Sequence, residues 1–285
     1  MIRNCIYIIL TFLFIGCSEE NEVILNFEGE INGKPLSCDQ WYSGFDINGA
    51  TAIQLKDFRF FISDLRLINS KGQEVPVALE QDSTWQFKNI ALLDLENGTG
   101  ECSEKGNMAM NTAVRGKIKN DRYTGIVFKM GIPFEWNHVD NAAVPSPLNV
   151  GAMFWNWQSG YKFARFDLVT DKPDREKFWF IHLGSTGCVS EIMGAGPESP
   201  CSKTNIPEIR IENFDVSSDI ITVDLGTLLK DIQVGTCMSG TDNQFCSDLF
   251  PRFGLSLETG DCMDGCANQQ LFRKKTHEAY ANVGK

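Results

Sequence analysis

Histidine is scarce here, with three in 285 residues, and bases are outnumbered, with 26 Lys and Arg against 37 Asp and Glu. A formal charge of -11 repels nucleic acid and anionic lipid headgroups, so neither is an expected partner. No apolar run reaches the roughly 20 residues needed to span a bilayer as a helix. No Cys-x-x-Cys pair, phosphate-binding glycine loop or Gly-x-Ser-x-Gly elbow occurs, which argues against a zinc knuckle, a nucleotide site and a serine hydrolase. With 42% apolar residues, the chain can nevertheless bury a substantial core.

The first residues form an export signal: Arg3 is the basic flank and Ile6 to Gly16 a short apolar core. Leu13-Phe-Ile-Gly-Cys17 resembles the lipobox of bacterial lipoproteins, which implies cleavage before Cys17 and acylation of that cysteine. An ordinary signal peptide with an incidental cysteine is the alternative. The expected organisation is a signal peptide over 1–16, a lipidated tether over 17–22, a domain over 23–257 and a C-terminal extension over 258–285. The mature protein would be an outer-membrane lipoprotein facing the periplasm or the cell surface, held to the membrane through its lipid alone.

Export fixes how the other cysteines are read. Setting aside Cys5 and Cys17 leaves an even number, which in an oxidising compartment argues for disulfides. The shortest local pairings are Cys188 with Cys201, Cys237 with Cys246 and Cys262 with Cys266, leaving Cys38 with Cys102. Connectivity does not follow from sequence, and a zinc site of four cysteines is the rival reading.

Alternating apolar and polar residues predict a mostly β chain. Candidate strands run over Val23–Glu30, before the turn residues Asn32-Gly33, and over Phe58–Ile68, turned by Ser70-Lys-Gly72 into Glu74–Leu79. Further strands are predicted at Trp85–Leu95, Tyr161–Val169, Lys177–Leu183, Ile206–Phe214 and Ile220–Asp224, with a helical turn over Leu225–Ile232. Thr112–Lys119 and Tyr123–Lys129 flank Asn120-Asp121 as a hairpin, and the polar residues from Lys274 onward, with His277, make a mobile, solvated tail. Closely spaced strands with Gly, Asn and Asp between them favour an all-β, antiparallel sandwich with long functional loops, stapled by disulfides.

Between Gly131 and Ser159 the periodicity stops, and Pro133, Pro145 and Pro147 deny a long helix. Long ordered loops in compact domains are usually functional. Gly131 to Cys188 holds four of the six tryptophans and two of the three histidines, His138 and His182. Neutral imidazole is the commonest transition-metal ligand, so this stretch is the candidate site. Two imidazoles alone leave a metal under-coordinated. Met153 is a possible accessory thioether ligand, soft enough for copper(I). Taken without further context, Trp155, Trp157 and Met153 read better as plain core than as a site.

A family resemblance sharpens the choice. Phe58-Arg-Phe-Phe-Ile-Ser-Asp-Leu-Arg-Leu67, Gly131-Ile-Pro-Phe, Asn137-His138, Pro147-Leu-Asn149, Met153-Phe-Trp-Asn-Trp-Gln-Ser-Gly-Tyr-Lys-Phe163, His182-Leu-Gly-Ser-Thr-Gly-Cys188 and Cys237-Met-Ser-Gly with Cys246 resemble the MbnP family, also called metallo-mystery pair four-Cys motif proteins. The resemblance covers roughly Val23 to Leu257. It implies an exported copper-binding protein, acting in copper capture, storage or delivery, paired with a di-haem cytochrome c peroxidase-like enzyme of the MbnH or MauG type. That partner oxidises a tryptophan to kynurenine, which helps hold the metal. His138 and His182 are then the expected ligands, with Trp155 and Trp157 ahead of Trp136 as the modified residue. Trp179 lies three positions before His182 and so faces the other side of a strand. Nothing in the sequence asks for an enzyme. The alternative is a cell-surface lipoprotein binding glycan or another ligand through a structural aromatic cluster.

Overall fold

The computed structural model describes residues 19–276 except 48–49, 105–107, 173–176, 193, 233–234 and 241–243. The expected signal peptide over 1–16, Cys17 and His277 lie outside the described residues. Two sheets face each other across one core. The smaller runs Phe272–Thr276, Asp219–Asp224, Glu20–Ile31, Ala113–Lys119 and Ala78–Leu79, side by side. The larger runs Phe178–Leu183, Ala164–Thr170, Ala50–Asn69, Tyr123–Met130 and Glu208–Glu212, with shorter strands on the long central Ala50–Asn69. Pairing is antiparallel almost throughout; Glu20–Ile31 and Asp219–Asp224 run parallel. No helix among the described residues is long and apolar enough to cross a membrane.

Period-two patterning decides which side of the larger sheet meets the core. Phe58, Phe60 and Ile62 point inward with Ala164, Phe166 and Leu168, and with Trp179, Ile181 and Leu183. Phe58 stacks on Phe166 with ring centroids 4.2 Å apart. The intervening residues face the opposite way. His182 pairs with Arg165, Arg165 with Arg59 and Arg59 with Asp94, so one row of polar side chains crosses four strands on the outer face.

A loop buries that row. From Gly131 onward the chain makes a short helix, Phe134–Asn137, then a small hairpin of Phe154–Asn156 against Gly160–Tyr161. It packs Ile132, Leu148, Met153, Tyr161 and Phe163 onto Phe61, Ile90 and Leu92 as a second apolar cluster. The Tyr161 hydroxyl donates to the Leu148 carbonyl at 2.5 Å. Outer-face residues such as Asp57, Arg59, Asp94 and Asp167 are therefore almost fully buried.

Four disulfides staple the fold: Cys38–Cys102, Cys188–Cys201, Cys237–Cys246 and Cys262–Cys266. Two sequence expectations are corrected. Ala113–Lys119 and Tyr123–Met130 are not a hairpin: the first pairs with Glu20–Asn26 and the second with the central strand, because their apolar faces approach the core from opposite sheets. Lys274 does not begin a mobile tail. Phe272–Thr276 pairs with Asp219–Val223, and Phe272 packs edge-on to Phe60 and Phe128 in the core. Lysine-rich strands of this kind suit a sheet edge, which polar patterning alone does not distinguish from a tail.

Candidate metal centre

His182 stands on the outer face of Phe178–Leu183 and is 7% exposed. Its Nε2 faces Asp167 Oδ1 at 2.7 Å. Burial pushes the Asp167 carboxyl up, but the His182 hydrogen bond and the Arg165 guanidinium outweigh it and hold that carboxyl below the usual range. Asp167 is therefore a carboxylate that accepts, and the His182 Nε2–H donates. In the neutral ring, Nδ1 is left with the lone pair, buried and without a hydrogen-bond partner. A buried lone pair without a protein partner is free to accept from a water or to ligate an ion.

A second segment is laid alongside this strand. His182 N–H donates to the Cys237 carbonyl and Cys237 N–H to the Phe180 carbonyl, both at 2.8 Å. Ser239 Oγ donates to the His182 carbonyl at 3.0 Å and accepts from the Gly184 amide at 2.9 Å. The Cys237–Cys246 bond ties the same segment to the helix Gln244–Leu249. Between these anchors sits Met238, 48% exposed. With His182, Lys162, Arg165 and Asp167 it lines a cavity of about 340 Å³, and with Trp155 it lines a neighbouring one of about 430 Å³.

Trp155 completes the surroundings. Its ring centroid lies 6.4 Å from that of His182, tilted 54°. Gly184 makes room for it, since a Cβ there would come within 2.4 Å of Trp155 Cζ3. Above the indole, Lys162 Nζ stands 5.7 Å from the ring and donates to the Ala152 carbonyl at 2.9 Å. Burial, followed by repulsion from Arg165, brings the Lys162 ammonium down to about 8.

The other expected residues lie elsewhere. His138 belongs to a separate cluster: Nδ1 is 2.9 Å from the Trp157 carbonyl, and Nε2 is 3.0 Å from Asn137 Nδ2 and 3.5 Å from Cys201 Sγ. Among the described residues, His138 and His182 share no hydrogen-bond or ring-contact partner. Burial lowers the His138 imidazole, with the Trp157 carbonyl opposing. Trp157 is 45% exposed. Trp136 packs edge-on to Phe87 at 5.0 Å, and Met153 is fully buried in the second apolar cluster. Trp179 is in the main core, on the face away from His182.

Met238, Asp167, Arg165 and Lys162 were not singled out from sequence. Arg165 and Asp167 alternate with the apolar Ala164, Phe166 and Leu168, which is the pattern of a buried strand with one polar face. Met238 stood inside a quoted motif, but only the Ile181–Cys237 bridge brings it to His182.

The model of the MbnP family matches residues 20–244. The chain belongs to the MbnP family. Among solved structures it is similar to MbnP from Methylosinus trichosporium, with a TM-score of 0.77 and 27% identity, over 90% of this chain and 99% of that one. A search of curated proteins gives no match. Family membership links this MbnP-family chain to the methanobactin copper system.

The residues around His182 fit a copper ion. An imidazole nitrogen, a thioether and an aromatic ring that oxidation can convert into an amine donor are soft or borderline groups. The Asp167 carboxylate is the kind of outer partner that orients metal-ligating histidines.

Proposed function

We propose that this chain is an exported copper-binding lipoprotein, not an enzyme, acting in copper capture, storage or delivery. Its ion sits in the cavity at His182, with Met238 as thioether ligand and Trp155 as the residue oxidised to kynurenine. Supporting the reading above all is the buried, partnerless Nδ1 of His182 beside Trp155 and Met238. Indole offers no free lone pair, because its nitrogen only donates. Opening of the ring by a peroxide-class oxidant, with loss of the C2 carbon as formate, would expose an aryl amine and a ketone toward that cavity.

A di-haem peroxidase-like partner of the MbnH or MauG type is the proposed oxidant. His138 is the second imidazole the family resemblance implies, and its Nδ1 is held by the Trp157 carbonyl. Copper analysis and intact mass of protein co-produced with and without that partner test the reading. It requires copper binding and a tryptophan-derived mass change that appear together.

A further inference from the structure

The Cys188–Cys201 bond lies within ligating range of an imidazole. Donor atoms of His138, Cys188 and Cys201 all lie within 4.8 Å of one another. His138 already has the ligating tautomer: the Trp157 carbonyl can only accept, so Nδ1 carries the proton and Nε2 keeps the lone pair, which accepts from Asn137 Nδ2 at 3.0 Å, lies 3.5 Å from Cys201 Sγ, and would exchange the amide for an ion. A ring N–H held by a backbone carbonyl is the usual outer support of a metal-bound histidine. While the two sulfurs are bonded to each other, neither is a thiolate and the cluster holds nothing.

Backbone contacts, not the sulfur bond alone, bring the two cysteines together. Thr186 N–H donates to the Lys203 carbonyl at 3.0 Å, Lys203 N–H to the Thr186 carbonyl at 3.1 Å, and Ser202 N–H to the Gly187 carbonyl at 3.2 Å. Asn205 Nδ2 adds a bond to the Gly184 carbonyl at 2.8 Å, and Gln158 Nε2 one to the Cys188 carbonyl at 3.2 Å. Gly187 permits this approach: its φ is +68°, and a Cβ there would meet Ser202 Oγ at 2.0 Å. Opening the bond would leave both side chains facing the imidazole.

We propose that reduction of Cys188–Cys201 turns this cluster into a second metal site, in which Cys188, Cys201 and His138 hold a thiophilic d10 ion of the zinc class. A dithiol reductant supplies two electrons and two protons, becoming a disulfide as the protein disulfide becomes two thiols. Binding of the ion then releases both thiol protons. Two thiolates and one imidazole leave a fourth position for water or an incoming ligand. This inference does not rest on the copper reading at His182: its ligands are Cys188, Cys201 and His138, although Cys188 also lines the cavity of Trp155 and Met238.

The test uses the mature chain and zinc alone. Protein is reduced with limiting phosphine until peptide mapping of alkylated thiols shows Cys188–Cys201 open and the other three disulfides intact, then equilibrated with zinc without air, and bound metal is counted beside far-UV circular dichroism. The same is done for a double variant with Cys188→Ser and Cys201→Ser, and for His138→Gln. Reduced wild type should bind about one zinc more than the oxidised form, the double variant none of that increment, and His138→Gln should bind it at least about tenfold more weakly. Cobalt in place of zinc should give thiolate charge-transfer absorption only in the reduced wild type and, weakly, in His138→Gln. No increment in the wild type, an increment surviving in the double variant, an unchanged affinity in His138→Gln, or collapse of the fold on reduction would each overturn the proposal.

Discussion

Asp167 grips the Nε2 side of His182 at 2.7 Å, which turns the lone pair of Nδ1 away from the carboxylate and leaves it without a partner. Arg165 holds the same carboxylate at 2.6 Å and reaches Asp57 at 3.2 Å, so the imidazole is fixed by a buried ion network and not by one contact.

Asp167→Asn should therefore weaken copper about 10- to 100-fold without removing a ligand, the range found for outer-sphere partners of metal-bound histidines. Competition against a chromophoric copper chelator measures it. An unchanged affinity would mean that Asp167 serves the fold alone.

Met238 is half-exposed and outside the cores, so Met238→Ala should alter stability by no more than about 0.5 kcal/mol. Copper affinity should fall on the order of tenfold, which is about 1.4 kcal/mol. Met153→Leu, a volume-conserving change in a packed cluster, should leave affinity intact. Titration of both variants with copper separates the two methionines.

Among the tryptophans, Trp155 alone has its ring in contact with His182. Co-production of Trp155→Phe with the di-haem partner should abolish the mass change of the wild type, whereas Trp136→Phe and Trp157→Phe should retain it. Peptide mapping by mass spectrometry reads this directly, and a modification found on Trp136 would contradict the assignment.

Asp94 is buried opposite Arg59, and burial, against the pull of Arg59, pushes its carboxyl up to about 7. The folded state then binds more protons than the unfolded state between its ordinary value and about 7. Stability from this group is complete below the unfolded pKa and falls as pH rises toward 7. The Asp167 carboxyl, held low, acts in the opposite sense and loses its contribution only as pH falls through its depressed value. Asp94→Asn should flatten the decline between pH 4 and 7, as followed by thermal melts across that window.

The sandwich was legible because alternation in Val23–Glu30, Phe58–Ile68 and Tyr161–Val169 is strong, and because cysteines close in sequence pair locally. The site was legible only in part. His182 and Trp155 could be nominated from residue type and family motif, but a parallel bridge from Ile181 to Cys237 brings Met238 to the cavity that His182 lines, and contacts of that range leave no periodic trace. His138 could be nominated in the same way, but its contacts with the Trp157 carbonyl and with the Cys188–Cys201 bond depend on long-range packing that its type and motif do not reveal.

One comparison weighs most: the copper-to-protein ratio of wild type and of His182→Ala, each co-produced with the di-haem partner and purified in parallel. About one copper per chain in the wild type and none in the variant is the expected result. A metal-free wild type, or a variant that keeps the same copper, would contradict the placement of the ion at His182.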